Sequence, residues 1–355
     1  MSDATARRAE ILAMFRKQAE TCAAMGSPIY GDLLGRCGDD FAGGGVVARV
    51  LAGWVGHPVL DNVALRLLGA AHYLALCGDA PALAACFPSC GGSYDGARAW
   101  PALLEALTRH EARIRVHLGE QIQTNEVRRC CALLGGFLAV ARAFPHPLRL
   151  LEIGASAGLN QCFDQYRYAL GEQHWGRSDA PLTLDCEWRG KPLAVSGPPP
   201  RIASRRGCDL SPIELRDPAQ RLRLESFFWP DQVERLARLR AACECALRSG
   251  VALERASAGD WIAREVAALP RGQTTLLFHS VMWMYVPEAE RKRIHALMEA
   301  AGGRASSEAP LAWLRMEGPN FDYCEIKLRL WPSGEDRLLG RCHYHGAWVE
   351  WLADS

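Results

Sequence analysis

Apolar positions in the first 144 residues recur at helical spacing. Ala9, Leu12, Ala13, Phe15 and Ala19 mark one helix, Val63–Leu76 a second and Ala102–His117 a third. Asn125–Ala143 makes a fourth, with Thr124 or Asn125 as its N-cap. Gly43-Gly44-Gly45 and Ser89-Cys90-Gly91-Gly92-Ser93 read as loops, and no strand pattern occurs among them. From Pro145-His146-Pro147 onward the texture changes. Short apolar runs at Leu148–Ile153, Ile202–Cys208, Val251–Ala256, Thr274–Phe278 and Leu311–Met316 predict strands. Helical patterns at Leu159–Leu170, Glu225–Leu247, Trp261–Leu269 and Glu288–Ala301 fall between them. Tyr323–Trp331 and Leu338–Trp351 flank Pro332-Ser333-Gly334-Glu335-Asp336, a hairpin signature.

Strands alternating with helices predict an α/β fold. Its sheet is expected to be mostly parallel, with an antiparallel hairpin at one end. The division expected is an all-helical N-terminal domain over 1–145, acting as a cap, and a sheet domain over 146–355. The segment from Gly176 to Pro200 holds Pro181, Pro192 and Pro198-Pro199-Pro200, and reads as an insertion with its own short strand or hairpin.

Composition narrows the classes. The 355 residues are 49% apolar and 23% charged, ordinary for a globular protein able to bury a core. Lys plus Arg is 41 and Asp plus Glu 40, a net +1, so the basic excess of a nucleic-acid binder is missing. The longest uncharged stretch, Gly272 to Pro287, falls short of the roughly 18 apolar residues of a membrane span. It also contains Gln273, His279 and Ser280. The N-terminal segment is a charged amphipathic helix without the apolar centre of a signal peptide, so a cytoplasmic protein is expected. Most of the fourteen cysteines lie in apolar runs, Cys77, Cys130, Cys131 and Cys162 among them, and no C-x-x-C spacing occurs. Reduced thiols and no metal are expected.

The chemistry concentrates where the first strand ends, at Glu152-Ile153-Gly154-Ala155-Ser156-Ala157-Gly158-Leu159-Asn160. Small residues there let a ligand approach the backbone, at the carboxyl edge where open α/β sheets bind ligands. Glu152 adds a carboxylate to that crevice. Two chemistries fit the turn. One is an E-x-G-x-x-x-G cofactor loop, and the other is a G-x-S-x-G nucleophile elbow at Ser156. A plain strand–helix turn is the third reading.

Three further stretches follow in order, each ending a predicted strand. They are Gly207-Cys208-Asp209-Leu210-Ser211-Pro212, Ala258-Gly259-Asp260-Trp261, and Phe278-His279-Ser280 running on to Tyr285. The set resembles class I S-adenosylmethionine-dependent methyltransferases. With Gln123-Thr124-Asn125-Glu126-Val127, Phe15-Arg16-Lys17-Gln18-Ala19 and Ser27-Pro28-Ile29-Tyr30, nearly the whole chain resembles an uncharacterised bacterial domain-of-unknown-function family, number 2332, grouped with those enzymes. The resemblance implies a Rossmann-like methyltransferase sheet, S-adenosylmethionine as cofactor and S-adenosylhomocysteine as product. It implies cofactor contacts at Glu152, Gly154, Ala155, Ser156, Gly158, Asn160, Leu210 and His279, with Asp209 on the ribose hydroxyls. Asp260 would meet the adenine amino group and Trp261 would pack on the ring. His279 and Tyr285 would face the transferred methyl group, with His279 placed to act as a base. Asn125, Glu126 and Tyr30 would line the acceptor side, and the acceptor expected is a small molecule. The chain departs from the pattern in two ways. Ser156 stands where the middle glycine is usual, and 57 residues separate Glu152 from Asp209 where about 20 suffice in a compact βαβ unit.

The hydrolase alternative needs an acid and a histidine after Ser156, offered by Asp260 or Asp322 and by His343 or His345, with Gly43-Gly44-Gly45 as a possible oxyanion loop. On a strand, His343 and His345 would share a face and look like metal ligands, but no third ligand is near in sequence. His72 reads as a satisfied core histidine. A protein that holds the cofactor without transferring anything is the last alternative.

Overall fold

A computed structural model describes residues 3–59, 61–195, 198–320 and 322–354. The chain divides into two compact units, Met1–Thr124 with Asp217–Ala237, and Asn125–Arg216 with Arg238–Ser355.

The first unit is built of helices: α1 (Asp3–Ala24), α2 (Pro28–Gly43), α3 (Val46–Val50), α4 (Val63–Leu76), α5 (Pro81–Ala84), α6 (Gly96–Arg109), α7 (Glu111–Leu118), α9 (Pro218–Ser226) and the start of α10 (Val233–Arg248). Helix α2 shows why such segments begin and end where they do. Ser27 accepts the Tyr30 N–H as N-cap, Pro28 supplies a preset first turn, and left-handed Gly44 closes the helix. Phe15, Leu33, Leu34, Leu67, Leu74, Leu103 and Leu107 are buried in one core. Two expected helices are each broken in two. The run 102–117 splits at His110, whose φ −114° and ψ 26° are not helical. The run 225–247 splits because Pro230 cannot donate an N–H to a continuing helix. Cys77 is exposed as the C-cap of α4, although its apolar neighbours suggest burial.

The second unit is an α/β structure around a large, mostly parallel sheet. Its strands are β1 (Leu148–Ile153), β2 (Arg167–Leu170), β3 (Gln173–Trp175), β4 (Thr183–Gly190), β5 (Ile202–Asp209), β6 (Ala252–Arg255), β7 (Thr274–Ser280), β8 (Leu311–Glu317), β9 (Cys324–Trp331), β10 (Glu335–Cys342) and β11 (Trp348–Trp351). They lie in the order β3-β2-β4-β11-β10-β9-β8-β7-β1-β5-β6. From β6 to β8 every neighbour is parallel, as are β2, β4 and β11. The β8–β11 stretch and the β2–β3 pair are antiparallel.

The helices α8 (Cys130–Ala143), α11 (Ala258–Glu265) and α12 (Glu288–Gly302) serve the sheet. A Cβ on Gly135 would lie 2.3 Å from the Trp351 ring, and one on Gly136 2.3 Å from Leu314, so α8 needs both glycines to approach the strands. Phe137 of α8 stacks on Phe163 at 3.9 Å and meets Phe278 edge-on at 5.1 Å. A separate cluster joins Leu151, Ile153, Leu277 and Trp313 to Trp261, Ile262, Ile294 and Met298 of α11 and α12.

Two expectations are corrected, and a third is made specific. The segment 159–170 is not a helix but a 3-10 turn over Leu159–Gln165 followed by β2. The Tyr166 and Tyr168 hydroxyls donate to the carbonyls of Leu159 and Phe163, tying the turn to the strand after it. The stretch 338–351 is two strands separated by a turn at His343–Ala347, so three antiparallel strands replace the hairpin. The segment 176–200 has the strand expected of it, β4, and that strand is built into the main sheet. No helix among the described residues is long and apolar enough to cross a membrane.

Candidate functional site

Beyond Ile153 the chain passes through the left-handed region three times, at Gly154 (φ 64°), Ser156 (φ 53°) and Gly158 (φ 71°). Glycine does this freely, whereas a serine gives up about 1 kcal/mol. Hydrogen bonds hold Ser156 in place. Its N–H donates to Asp209 Oδ2 at 2.9 Å, and its carbonyl accepts from Ile213 N at 2.9 Å. The N–H groups of Ala157 and Leu159 both donate to Asn125 Oδ1, at 3.2 and 3.0 Å. Asp209 Oδ1 also accepts from Ser211 N at 2.8 Å. The turn is thus gripped by two side chains, one from before β1 and one from the end of β5.

That grip gives Asn125 a different job from helix capping. The cap role passes to Glu126, which accepts Arg128 N at 3.2 Å and opens a 3-10 turn over Val127–Arg129 ahead of α8. Replacing Asn125 with Ala leaves two loop amides without their acceptor. It is expected to destabilise the protein by about 2 kcal/mol, read from the urea midpoint. An unchanged midpoint would show that the turn does not rely on this side chain.

Glu152 is almost fully buried beneath the turn. Burial pushes its carboxyl up to about 8, with Asp209's charge adding to the rise, while the amides of Gln161 and Asn160 and the cation of Arg129 pull the other way. Its Oε2 has no hydrogen-bond partner among the described residues. Asn160 is buried beside it and accepts the Cys130 thiol at 3.3 Å. Arg129 donates to the Ser280 carbonyl at the end of β7 and to that of Tyr344.

His279 sits on the opposite face. Glu152 pairs with Phe278 in the β1–β7 register, and side chains alternate along a strand, so His279 turns toward the α11–α12 cluster. Its Nδ1 lies 2.6 Å from Glu317 Oε1, and its ring stacks on Trp283 at 4.8 Å. The Glu317 carboxylate also accepts Met282 N and Trp283 N, at 3.2 and 3.1 Å. This grip surrounds Val281, whose φ of 53° is unusual for a β-branched residue. Sequence reasoning missed Glu317. Its signal was an acid closing an apolar strand, the same pattern that marked Glu152.

The remaining candidates scatter. A Cβ on Gly154 would meet Met282 at 2.9 Å, so the β7 turn closes directly on the β1 turn. Leu210 and Tyr285 are strongly exposed beyond β5 and β7. Asp260 bonds to Ser257 Oγ at 2.8 Å and pairs with Arg293 at 2.8 Å, holding its carboxyl below the usual range. Trp261 of α11 is wholly enclosed in the core, with no face open for a ligand. Tyr30 belongs to the first unit, where it is buried and packs against Trp229 at 5.9 Å.

Ser156 Oγ is buried and has no hydrogen-bond partner among the described residues, so no described histidine is bonded to it. His343 and His345 lie in the turn after β10 rather than on a strand, which corrects the shared-face expectation. The His345 N–H donates to His343 Nδ1 at 3.0 Å. Among the described residues no group of three or more His, Cys, Asp or Glu side chains could hold a metal ion. A cavity of about 460 Å³ opens elsewhere in this unit, lined by Arg177, Arg205 and Arg248 among others, and no residue of the β1 turn borders it.

The chain belongs to a family described as "Uncharacterized protein conserved in bacteria (DUF2332)", which matches residues 12–351. No curated protein and no solved structure matches it.

Proposed function

We propose that the second unit is a Rossmann-like domain of the class I methyltransferase kind, binding S-adenosylmethionine across the carboxyl ends of β1 and β5. The observation that carries this is the position of the left-handed turn. It caps the strand at which the order reverses, β1, with β5 on one side and β7 on the other. Open α/β sheets bind ligands at such switch points. The strand order β6-β5-β1-β7-β8 is that of a doubly wound sheet.

The donor set suits the cofactor. A carboxylate offers about four acceptor positions, and the Ser156 and Ser211 amides take two of Asp209's. Vicinal ribose hydroxyls would donate to the same half-buried carboxylate. Glu152, neutral at pH 7, has a buried oxygen in want of a partner and would bond to a polar group of the ligand. The cofactor supplies an electrophilic methyl group, so positioning of the acceptor can provide most of the acceleration. His279 and Glu317 hold the β7 turn in shape, while exposed Leu210 would contact the cofactor and exposed Tyr285 the acceptor. Asp260 would reach an adenine amino group only by leaving Ser257 and Arg293. A small molecule is the acceptor proposed, since a net charge of +1 lacks the overall basic excess typical of a nucleic-acid binder.

The test is calorimetric titration of the full chain with S-adenosylmethionine and S-adenosylhomocysteine. Saturable binding of both is expected, and Ser156→Ala should retain it. Absence of binding by either would overturn the proposal. Ser156→Ala losing an ester-cleaving activity that Asp209→Ala keeps would transfer the site to the hydrolase reading.

A further inference from the structure

The first unit holds a serine–histidine pair that the cofactor reading does not use. His72, on α4, is wholly buried. Its Nδ1 lies 3.0 Å from the carbonyl oxygen of Ser226, the last residue of α9. Its Nε2 lies 2.7 Å from Ser89 Oγ. A carbonyl can only accept, so Nδ1 carries the proton, and in the neutral ring Nε2 presents its lone pair. Ser89 must then donate its hydroxyl proton to Nε2. This is the tautomer and direction that a nucleophile–base pair requires, with a third group orienting the base.

The surroundings keep the pair in register. The Phe87 ring meets His72 edge-on at 5.6 Å, and Ser89 N donates to the Pro230 carbonyl at 2.9 Å. Ser89 is half-buried, on a 3-10 turn over Pro88–Cys90 that ends at left-handed Gly91, so the residue is only partly enclosed while its base is wholly buried. We propose that Ser89 is an activated nucleophile with His72 as its base, taking small acyl esters with good leaving groups.

The reagent class follows from what the turn lacks. The amides of Ser89, Cys90, Gly91, Gly92 and Ser93 all donate to carbonyls, so the turn offers no spare backbone N–H to a developing oxyanion. The third group is a neutral carbonyl, which fixes the tautomer without stabilising an imidazolium as a carboxylate does. Electrophiles that are already activated are therefore the ones this pair takes. Ser89 Oγ bonds to the acyl carbon while its proton passes to His72 Nε2. The carbon–aryloxide bond breaks, and the aryloxide leaves with that proton. Water then attacks the acyl carbon and gives a proton to Nε2. The bond to Ser89 breaks, and Nε2 returns the proton to Oγ. Ester and water become acid and phenol.

The experiment treats the full chain with a fluorophosphonate probe and with p-nitrophenyl acetate, mapping the modified residue by mass spectrometry. Modification of Ser89 is expected, lost in Ser89→Ala and slowed about 10²-fold in His72→Gln. Ser89→Ala removes one hydroxyl at a half-buried position, so its thermal melt serves as the fold control. Labelling at Ser156 alone, no labelling of folded wild-type protein, or an equal rate in folded His72→Gln would each overturn the proposal.

Discussion

Asp209→Ala is expected to abolish binding of S-adenosylmethionine and to lower the urea midpoint in the same protein. The carboxylate accepts the amides of Ser156 and Ser211, and the first of these belongs to a serine held at a left-handed φ. Hydrogen bonds to a charged acceptor contribute about 1.5–3 kcal/mol each, and an amide left unmet adds its own desolvation cost. A loss of about 3 kcal/mol is expected. Asp209→Asn keeps one acceptor oxygen and should lose less. An Asp209→Ala protein that melts like wild type would show that the turn stands without the grip. One that still binds the cofactor would remove the carboxylate from the proposed site.

The second large effect is the pH dependence that Glu152 contributes. Its carboxyl sits at about 8 in the fold, against an ordinary value of 4.5, because burial disfavours the charge. Between those values the folded state holds a proton that the unfolded chain has released. The contribution of this carboxyl to stability is therefore full below about pH 4.5 and falls as pH rises through about 8, by about 1.4 kcal/mol per unit across the window. Glu152→Gln has no proton to lose, so its stability should exceed that of wild type by a few kcal/mol at pH 9 and differ little at pH 5. Urea unfolding at both pH values measures this. If the two proteins keep the same difference at pH 5 and pH 9, the carboxyl is not neutral in the fold.

Much of the fold was legible because it is written locally. Val63–Leu76 and Leu148–Ile153 have the bounds their periodicity predicts, since each is an uninterrupted apolar pattern with clear ends. The failures have physical reasons. Tyr166 and Tyr168 serve strand β2 through tyrosine-to-carbonyl bonds, which a helical count of apolar positions cannot register. Pro230 was visible, and its missing N–H outranks the apolar spacing around it. In the site, Glu152, Asp209 and the glycines announce themselves by standing at strand ends. The side of the sheet on which His279 lies depends on its register with Glu152, and register between strands more than a hundred residues apart leaves no mark in either sequence. Asn125 left only an ordinary capping signal, because its two acceptor bonds reach a turn 32 and 34 residues away.

The four residues of β11 join two parts of the sheet. On one side they pair with β10, close in sequence, and on the other with β4, residues 183–190. During synthesis the β2–β4 stretch leaves the ribosome more than 150 residues before its neighbour exists. Until then β4 has an open edge, with unpaired backbone groups that another nascent chain could match. Contacts so distant in sequence also close slowly. The alternating charges of β4, Asp185, Glu187 and Arg189, all exposed, are the kind of guard that an edge waiting for its partner requires.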